Sequence, residues 1–126
     1  MQYGVGGYFS QIDLSVRTYH GSFGLTGNTD LILAHEATHQ FQHRIFKEFG
    51  LVPFWFVEAM ATYFGDGSKV RPDKVQLHVI PRDRLQVLQE AMNTGSYVTL
   101  NKLLRLHPAK GDNTLPCYDH GWGFLF

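Results

Sequence analysis

The segment LILAHEATHQFQH, residues 31 to 43, contains three histidines at intervals of four residues, and a glutamate directly follows the first of them. Residues four apart on an α-helix are separated by about 40° around its axis, so His35 and His39 point the same way, one turn apart. Two imidazoles placed like this can both reach one zinc ion at about 2 Å. Glu36 lies about 60° from His39, where it can contact a water on the metal rather than the metal itself. The pattern H-E-x-x-H therefore indicates two ligands and a general base, and the alternative is a polar helix face.

The motif sits within a predicted helix that spans about residues 29–49. Asn28 or Thr29 can cap its beginning, and Gly50 is the expected stop. Four residues at spacings of three and four predict the stripe that faces the core: Ala34, Ala37, Phe41 and Ile45.

A third ligand decides the class of zinc site. The metzincin pattern requires a glycine and a histidine at the positions occupied here by Gln42 and Ile45, so that class is excluded. His43 lies a further turn along and is interpreted as a helix-face residue or as a group that supports a ligand. Glu58 follows His39 after 18 intervening residues, inside the apolar segment FWFVEAMATYF. An unpaired carboxylate would be costly there, which favours Glu58 as the third ligand over a surface glutamate.

The rest of the chain predicts a single α+β domain over residues 1–126. Two short strands joined at about Ser10-Gln11 are expected within about 3–16. A glutamate-bearing helix is expected at about 53–64, a strand at 75–80 and a helical C-terminal part at about 82–126. The last residues, GFLF, are apolar, and a buried apolar segment is rarely left incomplete. We therefore expect the chain to be a fragment of a longer protein.

Composition excludes several classes. The chain has 126 residues, 44% of them hydrophobic, and a formal net charge of zero, which predicts a folded domain and argues against a nucleic-acid partner. No apolar run is long enough to span a membrane, and no signal peptide is visible. Cys117 is the single cysteine, so no internal disulfide can form.

The segment HEATH, the 18-residue gap and FWFVEAMATYF together resemble the gluzincin clan of zinc peptidases, which includes the thermolysin-like and aminopeptidase families. The chain is most similar to bacterial peptidase-MA-like domains without an assigned substrate. In those domains a helix similar to NTDLILAHEATHQF carries the motif, a strand similar to GGYFS precedes it, and a Y-x-x-x-W helix follows, matched here by Tyr118 and Trp122.

The resemblance implies a zincin-like fold with one zinc ion held by His35, His39 and Glu58, and with Glu36 as the base. It also implies an upstream strand that pairs with an extended peptide substrate, for which residues 12 to 16 are the candidates. The donor to the transition state usually lies in the C-terminal part of such domains, where Tyr118 and His120 are the candidates.

Two positions depart from the clan. Ala59 stands where many members have glycine, and Thr62 stands where thermolysin-like enzymes have an aspartate that orients a zinc-binding histidine. The alternative function is therefore a non-catalytic zincin-like binding module, with or without structural zinc. The resemblance also implies an extracytoplasmic setting, and the sequence leaves the oligomeric state and the cleavage specificity open.

Overall fold

A computed structural model describes residues 7–18 and 29–126 of the chain. The expected α+β class is confirmed: the described residues form helices and two small antiparallel sheets. The strands are β1 (Gly7–Ser10), β2 (Ser15–Thr18), β3 (Lys69–Arg71) and β4 (Lys74–Gln76). The α-helices are α1 (Thr29–Ile45), α2 (Phe54–Phe64), α3 (Arg82–Thr94), α4 (Leu100–Leu103) and α5 (Pro116–Leu125). Short 3-10 helices span Phe49–Leu51 and Pro108–Lys110. None of the helices in these two ranges is long and apolar enough to cross a membrane.

A hairpin forms the first described segment. β1 and β2 pair antiparallel, and residues 11–14 form the turn between them. The two predicted short strands are confirmed, but the second begins at Ser15 rather than next to Gln11, because Asp13 folds the segment before it into a turn. Its Oδ1 accepts hydrogen bonds from the backbone N–H of Ser15 at 3.2 Å and from the Ser15 hydroxyl at 2.7 Å. Residues 3–6 of the predicted strand region lie outside the described residues.

α1 ends at Ile45, four residues before the predicted end. The chain then tightens into the 3-10 helix Phe49–Leu51, so Gly50 lies inside that helix and is not the stop for α1. The rings of Phe46 and Phe49 stack with their centroids 6.5 Å apart across this change of direction. The early end lets the chain turn within a few residues into α2, which places the two helices side by side.

The interior face of α1 is polar, and the predicted apolar stripe is wrong. Thr38 and Gln42 are the buried residues of α1, whereas Phe41 is 57% exposed and Ile45 is 47% exposed. Ala37 is also exposed. The two sets of residues are centred about 60° apart around the helix, so the set that faces α2 turns the other toward solvent. The face that carries His35 and His39 takes that place, because α2 brings a carboxylate to it.

α2 is the centre of the core, between α1 and α5. Its buried residues are Val57, Glu58, Ala59, Ala61 and Thr62. α5 approaches α2 so closely that a Cβ on Gly121 would lie 2.9 Å from the Cβ of Ala59. The absence of a side chain at Gly121 therefore sets the distance between the two helices.

The remaining elements surround this three-helix core. β3 and β4 form a hairpin, so the predicted strand at 75–80 is wrong after Gln76, and residues 69–71, predicted as loop, form its partner. The predicted helical part at 82–126 contains α3, α4 and α5 with non-helical connections between them. Thr99 caps α4, since its Oγ1 accepts a hydrogen bond from the backbone N–H of Lys102.

Candidate metal centre

The structure brings His35 and His39 of α1 together with Glu58 of α2. Nε2 of His35 lies 3.3 Å from Oε2 of Glu58, and Nε2 of His39 lies 3.4 Å from the same oxygen. One ligand atom from each of the three residues lies within 4.8 Å of the other two. The three side chains are between 9% and 13% exposed. Two nitrogens and one carboxylate oxygen thus converge at a nearly buried point that still opens into a cleft.

The spacing of these atoms suits a tetrahedral zinc ion. Ligand atoms about 2.0–2.1 Å from a tetrahedral centre lie roughly 3.3 Å from one another. The two nitrogen–oxygen distances of 3.3 and 3.4 Å match that separation. They are longer than the roughly 2.7–2.9 Å of a direct charge-assisted hydrogen bond. The donor set, two imidazoles and a carboxylate, is one that catalytic zinc sites use, and it leaves a fourth position open.

The electrostatics of Glu58 keep its carboxylate ionised. Burial raises the pKa of Glu58, but hydrogen bonding from His35 and His39 outweighs burial and lowers the pKa to about 2. For His39, burial lowers the pKa, and the hydrogen bond and negative charge of Glu58 outweigh it, so that its pKa lies above the ordinary value. The site therefore attracts a cation, whether a proton or a metal ion.

Gln42, which is not among the site residues predicted from the sequence, orients His39. Its Nε2 donates to the carbonyl oxygen of Val57 at 3.0 Å, so its Oε1 must face the ring of His39. Nδ1 of His39 lies 3.0 Å from that Oε1 and must donate to it. When His39 is neutral, as a metal ligand must be, its proton is therefore on Nδ1 and the lone pair of Nε2 points toward Glu58. The sequence signal was a glutamine three residues after a ligand on the same helix.

Glu36, the predicted base, lines the same cleft as the three candidate ligands. The cleft has a volume of about 660 Å³, and β1, α1, α2, α5 and three connecting segments line it. Glu36 is half-buried, and its negative charge contributes to raising the pKa of His39. The sequence-predicted base therefore faces the space next to the ligands.

Tyr118 lies beside the candidate metal centre. Its ring stacks on that of His35, with the centroids 5.8 Å apart and the planes at 15°, and it lines the cleft. Burial raises the pKa of Tyr118, and the negative charge of Glu58 raises it further. The guanidinium carbon of Arg84 lies 5.5 Å from the centroid of the Tyr118 ring. The phenol thus stays protonated and can donate a hydrogen bond into the cleft.

His120, the other predicted donor, does not line the cleft. It is 6% exposed, and neither ring nitrogen has a hydrogen-bond partner among the described residues. Burial lowers the pKa of His120, which favours the neutral ring. Residues 118 and 120 lie about 200° apart on a helix, so only one of them can face the site. The structure places Tyr118 there.

Cys117 is fully buried and is not among the cleft-lining residues. Burial raises the pKa of its thiol to about 11. Thr62 is fully buried as well, and its hydroxyl has no hydrogen-bond partner among the described residues. The hydroxyl of Thr62 therefore supports no candidate ligand through a hydrogen bond in the described part of the chain, whereas the side chain of Gln42 does.

Comparison of the chain with protein-family models, with curated proteins and with solved structures gives no match. The assignment of a function therefore rests on the residues and geometry of this chain.

Proposed function

We propose that the protein is a zinc-dependent metallopeptidase of the gluzincin type, with a zincin-like fold, that hydrolyses peptide bonds. The observation that carries this proposal is the convergence of His35, His39 and Glu58 at the spacing of a tetrahedral zinc site, with Glu36 facing the same cleft. A site that only held structural zinc would have no need for a carboxylate beside the open position.

A zinc ion held by these three residues would polarise the scissile carbonyl and lower the pKa of a bound water toward ~7. Glu36 takes a proton from the attacking water and delivers it to the leaving amine. Tyr118 donates a hydrogen bond from its hydroxyl to the oxygen that becomes negative in the transition state. Gln42 holds His39 in the tautomer that leaves Nε2 free.

An extended peptide is the substrate that the cleft suits. Gly7, Tyr8 and Phe9 of β1 line the cleft, and within the described residues β1 pairs only with β2. The other edge of β1 can therefore form backbone hydrogen bonds with a peptide, a mode of binding that needs few special side chains. β1 therefore replaces residues 12–16 as the candidate strand for pairing with the substrate, because residues 12–14 lie in a turn.

The test compares Glu36→Gln with the wild type. Zinc content of the purified, dialysed chain is measured first by elemental analysis, and hydrolysis of a peptide library follows. We expect one zinc per chain in both proteins and loss of most hydrolysis in the variant, because the amide cannot take the proton. Glu48→Gln, at an exposed position after α1, is the matched control and should retain activity.

Two results would contradict the proposal. A Glu36→Gln protein as active as the wild type would refute the mechanism. Zinc binding by a wild type that hydrolyses no member of the library would instead favour a non-catalytic binding module.

A further inference from the structure

One end of the cleft is built from aromatic rings. We name it the aromatic end, and it consists of Phe9, His43, Phe49, Phe54 and His107, all of which line the cleft. The His43 ring lies 5.9 Å from the ring of Phe9 and 5.6 Å from that of Phe49. The Phe54 ring lies 5.8 Å from that of His107 at an angle of 61°. These rings come from β1, α1, the 3-10 helix, α2 and the segment before α5.

The aromatic end lies about one helical turn from the candidate ligands. His43 is four residues after His39 on α1, and Phe54 is four residues before Glu58 on α2, so each is displaced by about 6 Å along its helix. Both displacements go the same way, because a short connection joins the end of α1 to the beginning of α2. A residue of an extended peptide spans about 3.3 Å, so this distance corresponds to a side chain close to the scissile bond.

The chemistry of the aromatic end favours an apolar guest. The cleft-lining residues include no lysine or arginine, whereas Glu36 and Glu58 supply negative charge. An acidic side chain would therefore be repelled by these two carboxylates and would meet no lysine or arginine there. Val52 and the half-buried rings of Phe49 and Phe54 present carbon surface that an aromatic or large aliphatic side chain would cover.

His107 is fixed in one tautomer at this end. Its Nδ1 accepts a hydrogen bond from the backbone N–H of Ala109 at 3.1 Å, and the carboxylate of Asp112 accepts one from the backbone N–H of His107 at 3.0 Å. A neutral His107 therefore carries its proton on Nε2. His107 is exposed, but its ring packs against that of Phe54 and forms one wall of the aromatic end.

We propose that the aromatic end is the specificity subsite and that it binds a large apolar side chain, best an aromatic one, of the peptide next to the scissile bond. Ring edges and faces arranged at 56–66° around a space favour an aromatic guest, which can add offset or edge-to-face contacts. This inference rests on the proposed function, because it takes its position from the metal centre.

The first experiment measures binding of simple hydroxamates to the zinc-loaded chain by isothermal titration calorimetry. Three probes share the zinc-binding group and differ in the side chain: acetohydroxamate, 3-phenylpropionohydroxamate and 3-carboxypropionohydroxamate. We expect the phenyl compound to bind about tenfold or more tightly than acetohydroxamate, because it buries a ring. The carboxylate compound should bind no better than acetohydroxamate, because the aromatic end offers it no cation.

Variants then test whether the preference for the phenyl compound arises at the aromatic end. Phe54→Ala and Phe9→Ala should each reduce the ratio of the two affinities toward one while acetohydroxamate binds as before. Phe124→Ala is the matched control, because Phe124 is 52% exposed and does not line the cleft. It should keep the wild-type ratio.

The outcomes separate this inference from the proposed function. Failure of all three hydroxamates to bind would argue against the metal centre and would remove both proposals. Equal affinities for the acetyl and phenyl compounds in the wild type would leave the metal centre intact and overturn the subsite. A wild-type ratio retained in both Phe54→Ala and Phe9→Ala would overturn it as well.

Discussion

Oε1 of Gln42 lies 3.0 Å from Nδ1 of His39, and the amide nitrogen of the same side chain donates to the carbonyl oxygen of Val57. Gln42 is fully buried, so neither hydrogen bond competes with water. Val57 directly precedes Glu58, so a single amide fixes one ligand of α1 and the backbone beside the ligand of α2. This contact therefore fixes the orientation of His39 relative to α2.

Gln42→Leu should weaken zinc binding about 10- to 100-fold, the usual effect of removing a group that orients a metal ligand. The leucine leaves the Nδ1–H of His39 and the carbonyl of Val57 without partners, and it no longer selects the tautomer. Competition with a chromophoric chelator measures the affinity. Gln40→Leu is the control, because Gln40 on the same helix donates to the Leu14 carbonyl, away from the ligands. Equal zinc affinities for the two variants would refute the role of Gln42.

Glu58→Gln should abolish stoichiometric zinc binding, because a neutral amide is a poor ligand for zinc. In the wild type, zinc at about 1,000 times its Kd should stabilise the fold by about 4 kcal/mol. That corresponds to a rise in Tm on the order of 10 °C. Calorimetry with zinc and with EDTA measures this rise, which we expect to vanish in the variant. A Tm of Glu58→Gln that still depends on zinc as in the wild type would show that Glu58 is not a ligand.

Tyr118→Phe should lower kcat about 100-fold or more and leave zinc affinity unchanged, because it removes one hydrogen-bond donor to the transition state and keeps the ring on His35. Steady-state kinetics on a peptide substrate of the wild type measures the change. Tyr97→Phe is the matched control, since Tyr97 is 54% exposed and lies outside the cleft.

The competing candidate, His120, is tested separately. His120→Asn should alter Tm far more than kcat, because the ring is buried outside the cleft. If His120→Asn lost kcat while Tyr118→Phe kept it, the assignment of the donor would be reversed.

Arg84 should act through Tyr118. Its Nε lies 2.7 Å from Asp66 and its Nη1 lies 3.1 Å from Asp119, and these two ion pairs hold the guanidinium over the Tyr118 ring. A cation–π contact is worth roughly 0.5–2 kcal/mol, so Arg84→Gln should lower kcat about 2- to 30-fold. Arg84→Lys should recover part of that loss, because it keeps the positive charge.

A double-mutant cycle distinguishes positioning from general destabilisation. In the Tyr118→Phe background, Arg84→Gln should cause no further loss of kcat, because the hydroxyl that it positions is absent. Assays are run well below the Tm of each variant. Independent, additive losses would show that Arg84 does not act through the Tyr118 hydroxyl.

The parts of the fold that local periodicity determines could be predicted from the sequence. The apolar run of α2 and the three- and four-residue spacing on α1 predicted the two helices to within a few residues at each end. The orientation of α1 could not be predicted, because Phe41 and Ile45 form a better apolar stripe than Thr38 and Gln42 do. Ile12 shows the same limit: it alternates with Leu14 as a strand residue would, yet it is 98% exposed in a turn that the Asp13 side chain closes.

The candidate ligands could be identified because four-residue spacing on one helix fixes the relative position of His35 and His39 before any packing is known. Glu58 was identified by the cost of burying its charge. The role of Gln42 could not be predicted from the sequence, since it depends on how α1 and α2 face each other. The choice between Tyr118 and His120 likewise depends on the rotation of α5, which its packing on α2 determines.

The rotation of α5 against α2 depends on Gly121, and this dependence can be tested. A Cβ at Gly121 would lie 2.9 Å from the Cβ of Ala59 and 3.3 Å from the carbonyl oxygen of Trp55, neither of which can move without α2. At Gly123 on the same helix, a Cβ would meet the flexible end of Leu88 at 2.8 Å. Each change from glycine to alanine gains up to about 1 kcal/mol of helix propensity. A difference in stability between Gly121→Ala and Gly123→Ala therefore reports the effect of packing alone.

Gly121→Ala should therefore lower the free energy of unfolding, and with it Tm. The expected loss is the roughly 1–3 kcal/mol that overpacking costs, less the gain in helix propensity, whereas Gly123→Ala should leave Tm equal or higher. Gly121→Ala should also lower kcat with little change in zinc affinity, because it shifts α5 and with it the Tyr118 hydroxyl, while both histidines stay on α1. Thermal unfolding, zinc titration and steady-state kinetics on the two variants measure these effects. A Gly121→Ala protein with the stability and kcat of Gly123→Ala would show that the contact between α2 and α5 does not set the position of Tyr118.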